Sequence, residues 1–369
     1  MKNVLTVIQL VRRGGVELTA INLATSLDRE KFKVSFLLLN PYEGQDNELL
    51  DELKQRGYEF FSVPESVSGY IGKYKYLCKF FKEHRFDIVH SHVILFSGIV
   101  LAAAKKGNVP VRVAHSHTTK WNNKENLRYK IYKAFMQRLL NRYSNRKLAC
   151  SKAAGEFLYG KKHYLKSGIF IANGIDFDKF KFDPVCRSKT RDDFGVSEKE
   201  LLIGHVGTIY KIKNQEYLIE IFSEILKLNP NSKLMLVGEK ADIAPVEEKM
   251  RKLNVKDKVI FTGQVNNVEN LYQAFDIMIF PSLHEALPVS LIEAQASKLP
   301  CLISDTVTAE VKYNDNVEFL SLKQSPQIWA SKALKMIKRE REEVDVSLLS
   351  DNYDIKKVEK KLETIYSTQ

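Results

Sequence analysis

Short apolar runs alternate with helix-spaced apolar positions along most of the chain. Runs at 4–10, 34–39, 60–63, 87–90, 111–114, 147–150 and 169–172 have the length and composition of strands. Between them, residues 46–57, 70–84, 95–107, 125–143 and 152–160 show helical spacing, as do Leu18, Ile21, Leu23, Ala24 and Leu27 after the first run. Strands alternating with helices predict a parallel, doubly wound α/β sheet whose ligand site lies beyond the carboxyl ends of its strands. The alternation stops near 173–200, where Asn173-Gly174-Ile175-Asp176 and a polar stretch with Pro184, Lys189 and Asp192-Asp193 read as a connection. It resumes with runs at 201–207, 233–238, 259–263, 277–280, 301–304 and 318–321 and helices around Tyr217–Ile225, 246–253 and 268–275. The expected organisation is a first domain over 1–173, a linker over 174–200, a second domain over 201–350, and a helix within 351–369.

The stretch 276–299 gathers the most chemistry. It reads as a short strand, a loop and a helix, with Pro288 in the first helical turn, where its missing N–H is no loss. The amides and dipole of such a helix start attract an anion. Glu285 in the loop and Glu293 in the helix would repel a phosphate, so both are expected to face hydroxyls, and vicinal hydroxyls occur on sugars and ribose. Gly14-Gly15 between the first strand and helix permits close backbone approach to a ligand, although Gly-x-Gly-x-x-Gly is absent. His90-Ser91-His92 and His115-Ser116-His117 fall at strand ends on the ligand side. A His-x-His pair puts both rings on one face, but no nearby Asp or Cys completes a metal set, so no metal site is expected.

Composition narrows the classes. With 44% apolar and 28% charged residues, the chain is ordinary for a globular protein. It has no run of about 18 uncharged apolar residues, and the first apolar run is too short for a signal peptide. Cys78, Cys150, Cys186 and Cys301 are widely spaced, which fits a reducing cytoplasm. The net charge of +12 is uneven, since residues 1–173 hold 29 basic and 14 acidic side chains and the rest 28 and 31. A basic first half attracts phosphates on lipids, lipid-linked substrates or nucleic acid. Residues 120–152 concentrate it, interleaving Lys130, Lys133, Arg138 and Arg142 with Ile131, Tyr132, Phe135, Met136 and Leu139. Such a helix suits either the cover of a sheet or a membrane interface, and the protein is expected in the cytoplasm, peripheral at the inner face of the membrane.

Glu285 and Glu293, with Pro281-Ser282 before them, Leu287-Pro288 between and Leu291-Ile292-Glu293-Ala294 at the end, resemble the Glu-x7-Glu signature of the GT4, or group 1, retaining glycosyltransferases. Ala286 stands where that family usually has Gly. The resemblance spans nearly the whole chain and is strongest over 201–304. It implies a GT-B fold, two Rossmann-like domains facing across a cleft, with the nucleotide sugar on the second, the acceptor on the first and the terminal helix within 351–369 returning to the first. It implies that Lys213 meets the donor diphosphate with the amides of Ala286 and Leu287, while Thr208 replaces a family Arg and Lys211 is placed to compensate. Gln264 and Val265 match the contact with the base, Glu285 the donor sugar and Glu293 the ribose. In the first half, Gly14 and Gly15 match the family's glycine loop, His117 its histidine near the transferred sugar, and His115 and His92 fall on the acceptor side. The implied reaction is transfer with retention from a nucleotide-diphosphate sugar, UDP by family frequency, to an acceptor hydroxyl, without a metal or resident cofactor. A glycan or lipid-linked saccharide of bacterial surface polysaccharide (exopolysaccharide or capsule) is the expected acceptor, with an anionic membrane surface as partner. A sugar-nucleotide epimerase of the same architecture and a basic nucleic-acid binder are the alternatives; no nucleic-acid motif is present, so nucleic acid is not an expected partner.

Overall fold

A computed structural model describes residues 1–12, 15–40, 48–119, 126–285, 287–337, 341 and 344–367. Gly14, Ala286 and the start of the basic stretch, 120–125, lie outside the described residues. The chain forms two compact units, Met1–Gly174 with Ile355–Gln369, and Ile175–Asp354.

The first unit holds seven strands: β1 Lys2–Ile8, β2 Phe32–Leu38, β3 Glu59–Ser62, β4 Ile88–Ser91, β5 Val111–Ser116, β6 Arg146–Ala149 and β7 Gly168–Phe170. They lie in the order β3-β2-β1-β4-β5-β6-β7, and every pairing is parallel. Chain direction across the sheet reverses between β1 and β4, the switch point at which such sheets open a ligand crevice. Leu5, Val7, Leu37, Val89 and Ala114 are fully or almost fully buried among the covering helices, as a parallel sheet covered on both faces requires.

The second unit repeats the plan with β8 Leu201–Val206, β9 Ser232–Val237, β10 Val259–Gly263, β11 Ile277–Phe280, β12 Cys301–Ser304 and β13 Val317–Leu320. Its order is β10-β9-β8-β11-β12-β13, again all parallel, with its switch point between β8 and β11. Ile277, Met278, Ile279 and Phe280 are each 0% exposed, which explains why β11 reads as an unbroken apolar run.

Residues read as a connection are helical instead. Phe177–Phe180 and Pro184–Asp193 form helices within the second unit. Asp183 caps the second helix by accepting from the Val185 amide at 2.8 Å, with Pro184 in the first turn. Arg191, 0% exposed, anchors it by donating to the Ala274 and Ser197 carbonyls at 2.7 Å and pairing with Asp276 at 3.4 Å. Helix Pro326–Met336 buries Trp329, Ala330, Ala333 and Met336 against the second sheet's core. The terminal helix Ile355–Ser367 belongs to the first unit.

Candidate active site

The loops after β8 and β11 are stitched together at the second unit's switch point. Asn214 takes a left-handed conformation (φ 57°, ψ 40°) and donates its side-chain amide to the Pro281 carbonyl at 3.0 Å. The Leu283 amide donates to Ile212 at 2.8 Å. These bonds bring Lys213 against Glu285, with Nζ 2.7 Å from Oε1 and both side chains mostly buried. Lys213 Nζ also lies 4.8 Å from the centre of the Phe280 ring. Gly207 (φ +154°) makes room for the lysine, since a Cβ there would sit 3.2 Å from Lys213 Cε. Behind the pair, His205 is fully buried, Nδ1 donating to the Ile279 carbonyl at 3.0 Å while Nε2 accepts from Gln215 at 3.3 Å. Burial lowers its pKa to about 4; the Ile279 bond opposes that and the Lys213 charge adds to it, so the ring stays neutral.

Helix Val289–Ala296 follows the Glu285 loop. Pro288 is its N-cap (φ −71°, ψ 119°), one residue earlier than its first turn, and no side chain caps it among the described residues. Glu293, half-buried in this helix, accepts from the Tyr272 hydroxyl at 2.8 Å. Burial raises its pKa to about 7, with the Tyr272 bond opposing and the Glu269 charge assisting. Thr208 and Lys211 are exposed on the first of these loops, and Leu287 is buried. Gln264 and Val265 follow β10 at the sheet edge. The spacing of the sequence singles out neither Tyr272 nor His205; a tyrosine hydroxyl that must find a partner when buried is the one signal for the former.

In the first unit, Gly15 (φ +63°) opens the helix Gly15–Ser26, with Arg12 paired to Glu17 at 3.0 Å beside it. His90, His92 and His115 are buried, and the two His-x-His strand ends lie side by side. His92 Nδ1 is 2.8 Å from His117 Nε2, and His117 Nδ1 is 2.9 Å from Asn173 Oδ1. The amide oxygen fixes the sequence of donors: His117 Nδ1–H donates to Asn173, and His92 Nδ1–H donates to His117 Nε2. His117 therefore meets an added ligand only by giving up one of these bonds. Burial lowers its pKa to about 4, opposed by the Asn173 bond, and holds His90, His92 and His115 well below the usual range. The neighbouring strand brings His115 beside the His90/His92 pair, their ring nitrogens within 4.8 Å of one another.

Comparison with known proteins follows the same two halves. The family described as Glycosyltransferase Family 4 matches residues 13–179, and Glycosyl transferases group 1 matches residues 187–347. The chain is 31% identical over 360 residues to EpsF of Bacillus subtilis (strain 168), a protein assigned to the glycosyltransferases, covering 96% of this chain and 93% of that one. It is 28% identical over 390 residues to CapH of Staphylococcus aureus, a capsular polysaccharide biosynthesis glycosyltransferase, covering 100% and 99%. Among solved structures, Anabaena Alr3699/HepE in complex with UDP and glucose is alike with a TM-score of 0.79 at 19% identity, over 100% of both chains. That likeness gives the fold as GT-B, two parallel-sheet α/β domains. With both halves matched and EpsF aligned nearly end to end, the chain belongs to the group 1, family 4 glycosyltransferases.

Proposed function

We propose that this glycosyltransferase moves a sugar from a UDP-sugar to a hydroxyl of a lipid-linked saccharide, with retention, in assembly of a bacterial surface polysaccharide. The observation that carries the reading is the Lys213–Glu285 pair at the β8/β11 switch point, beside an uncapped helix start. Departure of the nucleotide leaves charge on a diphosphate, and a mostly buried ammonium with helix amides stabilises it. When the diphosphate shares Lys213, Glu285 is released toward the sugar hydroxyls. Leu287 offers its amide to the same charge, Thr208 and Lys211 flank it, Glu293 holds the ribose, and Gln264-Val265 hold the base. The departing phosphate oxygen receives the acceptor proton, so no protein base is required at that step, and the Asp-x-Asp sequence Asp176-Phe177-Asp178 lies at the start of the helix Phe177–Phe180 rather than at a strand end. The UDP-bound HepE structure and the capsular relative CapH support the donor and the pathway, while the basic first half suits an acceptor on a lipid pyrophosphate.

The pair of variants Glu285→Gln and Glu293→Ala tests it. Glu285→Gln should lower turnover about 10²–10³-fold with UDP affinity retained, because Lys213 is left free for the diphosphate. Glu293→Ala should weaken UDP binding about 10–100-fold and change turnover less, the loss expected for hydrogen bonds to a charged group. Calorimetry for UDP and single-turnover assays read the two effects; equal, mild losses from both variants would refute the assignment. Donor incubated without acceptor should remain unchanged, which separates transfer from epimerisation.

A further inference from the structure

We propose that His90, His92 and His115 form a binding site for one divalent transition-metal ion of the zinc class, buried in the first unit and separate from the donor diphosphate chemistry. The three rings are 2%, 3% and 1% exposed and offer ligand atoms that all lie within 4.8 Å of one another. They come from the ends of the adjacent parallel strands β4 and β5, so the sheet itself sets their spacing. His90 Nε2 and His92 Nε2 are buried without a hydrogen-bond partner, and the buried His115 ring has only the Ile171 backbone near enough to bond, which leaves its other nitrogen bare. A buried polar nitrogen left unpaired is costly, and one on each of three clustered rings marks a place where an ion belongs.

The outer contacts are those a metal site uses. A ligating histidine donates its other N–H to a partner that fixes its tautomer. His92 does so through Nδ1 to His117, itself held by Asn173, which leaves the Nε2 lone pair bare. His90 Nδ1 lies 2.6 Å from the Tyr366 hydroxyl, and donation there frees its Nε2 in the same way. Tyr366, whose pKa burial raises, remains a neutral phenol. An all-imidazole set favours zinc and its first-row neighbours and disfavours magnesium and calcium, which take oxygen ligands. Three histidines with water in the fourth position is an established zinc coordination, and loss of a proton from that water halves the buried charge. Zinc–nitrogen bonds of about 2.0–2.1 Å place tetrahedral ligand atoms roughly 3.3 Å apart, so the rings need turn inward by little more than about one ångström. Bound metal would also hold His92, and through it the ring of His117.

The test uses full-length protein free of any polyhistidine tag, stripped with a chelator and titrated with Zn²⁺, Co²⁺ or Mg²⁺. One equivalent of Zn²⁺ should bind and raise the melting temperature by about 5 °C at saturation. Co²⁺ should give visible ligand-field absorption that Zn²⁺ abolishes, and Mg²⁺ should do nothing. His115→Ala should lose the equivalent, whereas His163→Ala, an exposed histidine outside the cluster, should keep it. X-ray absorption of zinc-loaded wild type should show an imidazole-nitrogen shell, which tests the ligand set even if His115→Ala misfolds. A stripped wild-type chain that binds no zinc, a shell of carboxylate oxygens, or stabilisation unchanged in a folded His115→Ala would overturn the proposal.

Discussion

Glu293 sits at the point where burial and function pull against each other. Its carboxyl titrates near 7 because burial disfavours the charge more than the Tyr272 hydroxyl favours it. A folded pKa above the ordinary 4.5 means that its contribution to stability is complete at acid pH and is lost as pH rises through about 7. A ligand presenting two hydroxyl donors favours the ionised form and lowers that pKa, so binding should release a proton. UDP affinity should therefore rise as pH climbs from about 6 to 8, tenfold for each unit by which the bound carboxyl is shifted. Calorimetry in buffers of different ionisation enthalpy measures the release. The nucleotide's own phosphate titrates identically with wild type and Glu293→Gln, so the difference between them isolates the residue; identical proton release from both would refute this account. Glu285 and Glu293 stand out in the sequence by their local spacing and Lys213 only by the family resemblance, and the structure adds that Lys213 and Glu285 are paired. Tyr272 and His205 were not legible there, because their partners lie 21 and 74 positions away.

At the level of elements, the strands were readable because parallel strands covered on both faces must be continuous apolar runs, as β8, β9 and β11 are. The helix Pro184–Asp193 was not, because polar and charged residues supply its contacts. Its signal was there in Asp183-Pro184, a cap followed by a first-turn proline, but the burial of Arg191 depends on Asp276 and on carbonyls distant in sequence. Helix Pro326–Met336 had the apolar spacing Trp329, Ala330, Ala333 and Met336, yet a polar stretch on either side obscured it. Arg191→Ala should destabilise the second unit by about 2–3 kcal/mol, because it takes a buried donor from the Ser197 and Glu200 carbonyls, while Asp276 keeps Arg187 at 2.6 Å and the Leu202 amide at 2.7 Å. Chemical denaturation followed by circular dichroism reads it, and a loss below about 1 kcal/mol would mean that the helix is held by its apolar contacts alone.

Taken as a whole molecule, the chain places its excess positive charge and one ridge of exposed apolar side chains on the same unit. The sequence suggests one stripe through Ile131, Tyr132, Phe135, Met136 and Leu139; helix Leu127–Tyr143 divides it. Met136 and Leu140 are buried in the core with Tyr132 and Leu139 against them, while Leu127, Ile131 and Phe135 stand 73%, 63% and 57% exposed, one turn apart. Arg128, Lys130 and Arg138 are exposed on the same helix, and the ring of Tyr70, next to the exposed Ile71, lies 5.6 Å from that of Tyr132, tilted by 39°. An apolar ridge flanked by cations fits an anionic bilayer, where each basic side chain contributes about 1 kcal/mol and apolar insertion adds about 25 cal/mol for each Å² removed from water. Among the described residues no helix is long and apolar enough to cross a membrane. Vesicles rich in phosphatidylglycerol should sediment the protein at low salt and release it as added salt shortens the reach of the cations. Replacing Leu127, Ile131 and Phe135 together by Ser leaves the charge unchanged and should weaken partitioning about tenfold or more. If the triple variant binds as wild type does, the attraction is electrostatic alone; if wild type ignores anionic vesicles at low salt, the ridge meets something other than a membrane.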